Sequence, residues 1–160
     1  MIIRTATMDD LQDITEIEAA CFPAAEAADR KSFERRLTHF ADHFWVLMDE
    51  DVMVGFVNGM VTDEKDLRDE MYDDASLHNP KGAWQMIFGV DTLPAYRRQG
   101  CAEKVLKHVI ESARKEGRKG LVLTCKDHMV HYYSKFGFVK EGVSDSTHGG
   151  VLWYQMRLTF

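Results

Sequence analysis

The sequence predicts an α+β fold, an α/β/α layered arrangement in which helices flank a central mixed, mostly antiparallel sheet. Three observations support this prediction. Residues 84–90 form a bulky, mostly apolar run, which is typical of a buried strand. A long helical pattern and a second apolar run, residues 121–125, follow it, so these two strands are expected to be parallel. Earlier in the chain, two apolar segments joined by an acidic turn at residues 49–51 predict an antiparallel hairpin.

The N-terminal half is expected to contain two helices. A capping-box pattern at residues 7–10 precedes apolar residues at helical spacing, so the first helix should run to about residue 20, shortly before Pro23. The same spacing predicts a second amphipathic helix over about residues 29–39. Strands are predicted at residues 2–5, 44–48 and 52–61.

Residues 62–81 differ in composition from the rest of the chain, with seven carboxylates against three basic side chains. No strong hydrophobic period runs through them, although Leu67 and Met71 indicate some helix. We expect a long surface insertion, mobile in part. It is either a solvated face, as charged runs usually are, or a lid that attracts an ammonium substrate.

The C-terminal half begins with the most regular helical pattern in the chain. Apolar residues recur at i, i+3, i+4, i+7 and i+8 from Ala102, and Gly117 is the expected C-cap. A short helix is predicted over residues 129–135 and is closed by Gly137. One strand is predicted to begin at Phe138, and the final strand is predicted over residues 151–158.

Composition limits the classes of protein that fit this chain. Its 160 residues are expected to form one domain over residues 1–160, and 45% apolar with 29% charged residues is ordinary for a globular protein. No apolar run approaches the ~20 residues of a membrane span, and no signal-peptide core is present. Three scattered cysteines predict neither a disulfide framework nor a zinc site, so a reducing cytoplasm and no metal are expected. The net charge of -6 argues against nucleic-acid binding.

The stretch Arg-Arg-Gln-Gly-Cys-Ala, residues 97–102, opens the long helix. A helix N-terminus directs several free backbone N–H groups at one point, and the helix dipole adds positive potential there. Gly100 and Ala102 leave room for a ligand to approach the backbone. Together with two guanidinium groups, this pattern predicts a phosphate or pyrophosphate site.

Residues 97–102 also resemble the Arg/Gln-x-x-Gly-x-Gly/Ala signature of the GNAT superfamily of acetyl-CoA-dependent N-acetyltransferases. Residues 123–138 resemble the second GNAT signature, in which a strand is followed by a helix ending in Tyr-x-x-Phe/Leu-Gly-Phe. Across nearly the whole chain, the arylalkylamine (serotonin-type) N-acetyltransferase branch is the most similar. That similarity includes Cys21-Phe22-Pro23 with Glu26, the hairpin from Trp45 to Gly59, and residues 77–82.

The resemblance implies the GNAT fold, in which the two parallel strands splay apart and the pantetheine arm of acetyl-CoA lies between them. Acetyl-CoA is therefore the implied co-substrate. The residues implied to bind it are Val90, Asp91 and Thr92 along the pantetheine, and Arg97, Arg98, Gln99, Gly100, Cys101, Ala102 and Glu103 around the pyrophosphate.

Two catalytic roles follow from the resemblance. The backbone N–H of Val90 would polarise the thioester carbonyl. Tyr133 matches the family's acid tyrosine and would donate a proton to the leaving thiolate, because a phenol is protonated at pH 7. Its neighbour Tyr132 would point roughly 100° away around the helix.

The general base stays open. The related branch relays protons through two histidines, whose counterparts here are Met86 and Phe88, so that relay is missing. A water-relayed Glu26 is the first choice, and the other candidates are Asp91, His128, His131, His148 and water alone. The residues expected to bind the acceptor are Phe22, Glu26, Met86 and Phe88, and for Met86 and Phe88 plain core packing is the alternative.

The implied reaction moves an acetyl group from acetyl-CoA to a primary amine of a small molecule, by direct attack. Arylalkylamines and polyamine-like acceptors are both open. The alternatives are an acetyltransferase for protein lysines or N-termini and a non-catalytic acyl-CoA-binding regulatory domain. The oligomeric state is also open, with a homodimer as one option.

Overall fold

The fold places five α-helices around nine strands, and the computed structural model describes all of residues 1–160. The strands are β1 (Ile2–Thr5), β2 (Phe44–Asp49), β3 (Val52–Asn58), β4 (Val61–Thr62), β5 (Trp84–Ile87), β6 (Gly89–Thr92), β7 (Gly120–Cys125), β8 (Val139–Val143) and β9 (Tyr154–Thr159). The α-helices are α1 (Leu11–Cys21), α2 (Arg30–Phe40), α3 (Asp69–Asp73), α4 (Cys101–Lys115) and α5 (Val130–Ser134).

The strands form two sheets that meet in the middle of the molecule. The first sheet has the order β1-β2-β3-β6 and is antiparallel throughout. The second has the order β4-β5-β7-β9-β8, and only β5 and β7 are parallel within it. The predicted mixed, mostly antiparallel sheet is therefore confirmed, including the parallel pair.

Helices cover the first sheet on both faces. Successive strand residues point to opposite faces, so Phe56 and Val57 belong to different layers of the core. Phe56 packs in a cluster with residues of α1 and α2, whereas Val57 packs in a cluster with residues of α4. This arrangement confirms the predicted layering, and it leaves the α1–α2 side and the α4 side of β6 with different neighbours.

The strand predicted over residues 84–90 is in fact two strands. It breaks at Phe88, and β5 and β6 on either side of the break belong to different sheets. Hydrophobicity alone does not report such a break, because both halves are buried or half-buried. The final strand also begins later than predicted, at Tyr154. Gly117 adopts a φ of 77° just after α4, as a C-cap glycine does.

The acidic segment, which was expected to be a long surface insertion, is packed onto the protein. Leu67, Met71 and Ala75 are buried together with Met86 and other residues of the sheet. They lie four residues apart, a helical spacing that the surrounding charges obscure. The buried Arg157 also holds the segment, donating to Asp66 Oδ1 at 2.9 Å. No helix in the chain combines the length and the apolar character that crossing a membrane requires.

Candidate active site

The two parallel strands diverge after four residue pairs. β5 and β7 are in register from Trp84–Gly120 to Ile87–Leu123. Beyond that point β6 pairs only with β3, while the end of β7 continues to pair with β9. We call the space between β6 and the end of β7 the wedge. It is the opening that the resemblance implied.

The backbone of β6 presents free hydrogen-bonding groups to the wedge. Leu93 N donates to Val54 O at 2.8 Å, so Leu93 and Val54 form a hydrogen-bonded pair. In the antiparallel register of β3 and β6, hydrogen-bonded and non-hydrogen-bonded pairs then alternate from this point. By that alternation Asp91 is bonded to β3, whereas the N–H and C=O groups of Val90 and Thr92 face away from it. Thr92 O accepts a hydrogen bond from Cys21 Sγ at 3.2 Å on this open side. The side chain of Asp91 is buried on the α1–α2 face and does not line the wedge.

A cavity of about 1040 Å³ runs through the wedge from the N-terminus of α4 to the loop between α1 and α2. Its walls include Val90 and Thr92 on β6 and Leu123, Thr124 and Cys125 on β7. It is therefore continuous between the predicted phosphate site and the predicted acceptor loop. We call these two parts the donor end and the acceptor end.

The donor end is built mainly from backbone. The N–H groups from Arg98 to Glu103 donate to no acceptor within the protein. Arg98 and Gly100 have positive φ values of 62° and 78°, which turn the chain so that these groups converge ahead of α4. The predicted residues that line the cavity here are Arg97, Arg98, Gly100, Cys101, Ala102 and Glu103. Gln99 does not line it, because its side chain donates to Ala95 O at 3.2 Å on the surface.

Tyr133 lies beside the wedge on α5. It is buried among core side chains and lines the cavity, and its hydroxyl makes no hydrogen bond within the protein. Burial is the main cause that raises the pKa of Tyr133, so the hydroxyl keeps its proton at neutral pH. Tyr132, which the helical geometry was expected to exclude, also lines the cavity, with its ring 5.2 Å from that of Tyr133.

Three of the four predicted acceptor residues line the acceptor end. Phe22, Glu26 and Phe88 lie on its walls. Met86 does not, since it is fully buried in the cluster that holds the acidic segment. The reason is its position in β5, ahead of the point where the strands separate. The structure thus corrects the assignment of Met86 from acceptor wall to core.

Glu26, the first choice for the base, is already engaged by two neighbours. Its carboxylate lies 2.7 Å from Lys126 Nζ in an ion pair. Its backbone carbonyl accepts a hydrogen bond from His148 Nε2 at 2.6 Å. The carboxylate is nevertheless in the cavity wall, where it contributes negative potential. Among the other predicted base candidates, His128 and His148 line the cavity, whereas His131 and Asp91 do not.

A cover closes the acceptor end from above. The segment 144–153 crosses it and is tied to α3, because Thr147 N donates to Asp69 Oδ2 at 3.0 Å and Ser146 Oγ bonds Asp69 Oδ1. On α3, Tyr72 reaches across the cavity to Thr124 Oγ1, 3.2 Å away, and its ring stacks on His148. Burial raises the pKa of Tyr72 to about 12. The acidic segment is thus part of the cavity wall, as the lid interpretation required.

Sequence reasoning missed a cluster of buried ionisable side chains at the acceptor end, formed by Glu18, Arg36 and Asp91. Glu18 on α1 lines the cavity, and its Oε2 accepts a hydrogen bond from Ala28 N at 2.9 Å. Arg36 on α2 is buried and donates to Asn58 Oδ1 at 3.1 Å and to Tyr72 O at 3.2 Å. Both groups influence Asp91, and its pKa is raised well above the usual range by burial and by Glu18. A signal was present, because Glu18 and Arg36 sit within the apolar stripes of their helices.

Comparison with known proteins agrees with this geometry. The model of the acetyltransferase (GNAT) family matches residues 11–138. The chain belongs to that family. The predicted family is thereby confirmed, whereas the arylalkylamine branch stays a prediction.

Individual relatives are distant. The probable hydrolase YhcX of Bacillus subtilis (strain 168) is 24% identical and is matched by 92% of this chain, which spans only 30% of that protein's length. The GphF GNAT-like decarboxylase in complex with isobutyryl-CoA superposes with a TM-score of 0.86 at 22% identity, covering 99% of both chains. The ribosomal-protein-S18-alanine N-acetyltransferase from Escherichia coli gives 0.74 at 18% identity, over 99% of this chain and 92% of that one. At these identities the structures show the fold alone.

Proposed function

We propose that this GNAT enzyme transfers the acetyl group of acetyl-CoA to a primary amine of a small molecule by direct attack. The observation that carries this proposal is the cavity, which is continuous from the free N–H groups at the donor end to a covered acceptor end. Such a cavity suits two substrates that meet in line within the wedge. Direct attack requires only that the amine reach the thioester from the side opposite the pantetheine.

At the donor end the pyrophosphate of acetyl-CoA would accept hydrogen bonds from the N–H groups of residues 98–103. Arg97 and Arg98 add positive charge near it. The pantetheine amides would pair with the open backbone edge of Val90 and Thr92, in place of a neighbouring strand. This arrangement brings the thioester to the position where the wedge meets Tyr133.

The chemical step needs charge stabilisation and a proton donor. The backbone N–H of Val90 stabilises the negative charge that develops on the thioester oxygen. The C–N bond forms as the C–S bond breaks, and the Tyr133 hydroxyl gives its proton to the departing sulfur. Tyr133 then regains a proton as the new amide nitrogen loses one. Because no protein group competes for its hydroxyl, Tyr133 is free to donate.

The acceptor end favours a small cationic amine with an apolar or aromatic body. Phe22, Tyr72 and Phe88 supply aromatic walls, while Glu18 and Glu26 supply carboxylates for an ammonium group. The ties between α3 and segment 144–153 cover the side from which a protein chain would enter. These features support an arylalkylamine over a protein lysine or N-terminus as the acceptor.

A panel of acceptors tests the proposal. Thiol release from acetyl-CoA is measured with arylalkylamines, polyamines and N-terminal peptides, and products are identified by mass. We expect turnover with at least one small amine and at least tenfold lower kcat/KM with every peptide. Efficient peptide acetylation would contradict the small-molecule acceptor, and tight CoA binding without any turnover would favour a regulatory domain.

One further arm is needed because a similar structure is that of a GNAT-like decarboxylase. Malonyl-CoA is supplied without any amine, and carbon dioxide release is measured. We expect none above the rate without enzyme. Efficient release would show that the wedge serves decarboxylation instead of amine acetylation.

A further inference from the structure

Two carboxyl groups from distant parts of the chain meet at the base of the acceptor end. Asp91 on β6 is 2% exposed and Glu18 on α1 is 7% exposed. Both carboxylate oxygens of Asp91 lack a hydrogen-bond partner among the donors of the protein, whereas its carboxyl group is within hydrogen-bonding reach of Glu18. Buried carboxylates are rarely left without donors, so a proton between these two groups is the simplest way to satisfy them.

We propose that Glu18 accepts the proton of the acceptor ammonium, and that Asp91 is a positioning residue that acts through Glu18 by sharing that proton. The inference rests on the proposed function, since it concerns the same acceptor end. It supplies the base that the missing histidine pair leaves open.

The position of α1 brings Glu18 close to the reacting groups. Glu18 and Cys21 are three residues apart, so they lie on one face of the helix about one turn from each other. Cys21 Sγ donates to Thr92 O at 3.2 Å, on the edge of β6 that faces the wedge. The last turn of α1 is therefore fixed against the strand that holds the thioester. An amine that attacks there lies next to the Glu18 carboxylate.

The surroundings of the pair suit a base better than those of an isolated carboxylate. Burial and, after it, the neighbouring Glu18 disfavour ionisation of Asp91, so the pKa of Asp91 is raised and this carboxyl holds its proton more strongly than an exposed one does. The charged or ionisable groups that face the pair are Arg36 from α2, Cys21 from α1 and Tyr133 from α5. Arg36 balances one negative charge, which keeps a carboxylate ionised in a buried site.

Glu26 lacks these features. Its carboxylate is already engaged by the ammonium group of Lys126 at 2.7 Å. Glu18 has no lysine or arginine in ion-pair contact, and it accepts a hydrogen bond from the neutral Ala28 N–H. We therefore assign Glu26 to acceptor binding and Glu18 to proton transfer.

The protons balance over the whole reaction. The acceptor nitrogen enters as an ammonium and loses two protons, one before attack and one as the amide forms. The first goes to the ionised Glu18–Asp91 pair and then to water through the cavity, which Glu18 lines. The second replaces the proton that Tyr133 gives to sulfur. The products are the N-acetyl amine, CoA with a free thiol, and one released proton.

The test compares Glu18→Gln and Asp91→Asn with the wild type, with kcat followed from pH 6 to 9.5 on the best amine of the panel. Glu16→Gln is the matched control, because Glu16 lies on the exposed face of the same helix. We expect Glu18→Gln to lower kcat about 100-fold, in the range typical of a lost general base. Asp91→Asn should lower kcat about tenfold and move the rising limb of the pH profile to lower pH. Glu16→Gln should match the wild type.

A second amine with a lower pKa of its own separates the enzyme's ionisation from that of the substrate. If the rising limb of the kcat–pH profile reports the Glu18–Asp91 pair, it stays at the same pH with both amines. Unchanged kcat and an unchanged limb in Glu18→Gln, with normal CoA affinity, would overturn the proposal while leaving the proposed function intact. If Glu18→Gln does not fold, an unmoved limb in Asp91→Asn overturns it instead. Absence of turnover in the wild type would refute the proposed function and this inference with it.

Discussion

The two ends of the cavity are constructed from different parts of the chain. The donor end uses consecutive backbone N–H groups of residues 98–103 at one helix terminus. The acceptor end uses side chains that come from separate elements, among them Glu18 of α1, Arg36 of α2 and Tyr72 of α3. A site made of backbone tolerates many side chains as long as the local φ and ψ angles are kept. A site made of distant side chains changes its specificity with each substitution.

Tyr133→Phe tests the residue that lies between the two ends, and it should have the largest effect. Loss of the phenolic proton should lower kcat about 100-fold or more, because the departing thiolate loses its proton donor. The affinity for CoA, measured by calorimetry, should change by less than about twofold, since the hydroxyl makes no hydrogen bond within the protein. Tyr132→Phe is the control, and an equal loss there would show that Tyr133 has no special role.

Asp91→Asn tests the energetics of the acceptor end through stability. The pKa of Asp91 is raised in the folded protein, so between pH ~4 and that raised value the folded state binds more protons than the unfolded state. The free energy of unfolding should therefore fall as pH rises, by up to about 1.4 kcal/mol per pH unit from this group. Asp91→Asn removes this contribution. Urea unfolding at pH 5, 6.5 and 8 measures it, and equal slopes in both proteins would contradict the prediction.

Gly100→Ala tests the backbone character of the donor end. A Cβ at this position meets no atom within 4 Å, but the residue has a φ of 78°, which strains a side-chain-bearing residue. We expect the KM for acetyl-CoA to rise about tenfold, with the KM for the amine unchanged. The neighbouring Gln99→Ala alters a side chain outside the cavity and should change neither constant more than about twofold. An equal effect of both variants would show that side chains, not backbone, bind the donor.

Asp69→Ala tests the cover of the acceptor end and should have the smallest effect. It removes the hydrogen bonds to Ser146 and Thr147 that tie α3 to segment 144–153. We expect the KM for the amine to rise about threefold to fivefold and the KM for acetyl-CoA to stay the same. Glu70→Ala is the control, because Glu70 is exposed and pairs only with Arg68. A change in the acetyl-CoA constant alone would mean that the cover acts on the donor end.

The same contrast explains which parts of the site were predictable from the sequence. Residues 97–102 form a contiguous pattern whose function depends on local backbone geometry, so the donor end was predicted apart from Gln99 and Asp91. The motif around Tyr133 predicted that it belongs to the site; the structure shows that it lines the cavity, and its catalytic role stays a prediction. Met86 was misplaced because its surroundings depend on a break at Phe88 that no periodicity reports. Glu18, Arg36 and Tyr72 come together only through the packing of three helices, although two of them interrupt apolar stripes.

The break at Phe88, where β5 paired with β7 gives way to β6 paired with β3, has an evolutionary consequence. In the proposed function, thioester recognition depends on main-chain geometry, which many sequences can maintain, while α1, α2, α3 and segment 144–153 surround the acceptor end. A lineage can therefore exchange one acyl acceptor for another, or one fate of the acyl group for another, by altering these four segments. Such a change leaves the donor end intact, because none of these four segments supplies the backbone N–H groups of residues 98–103.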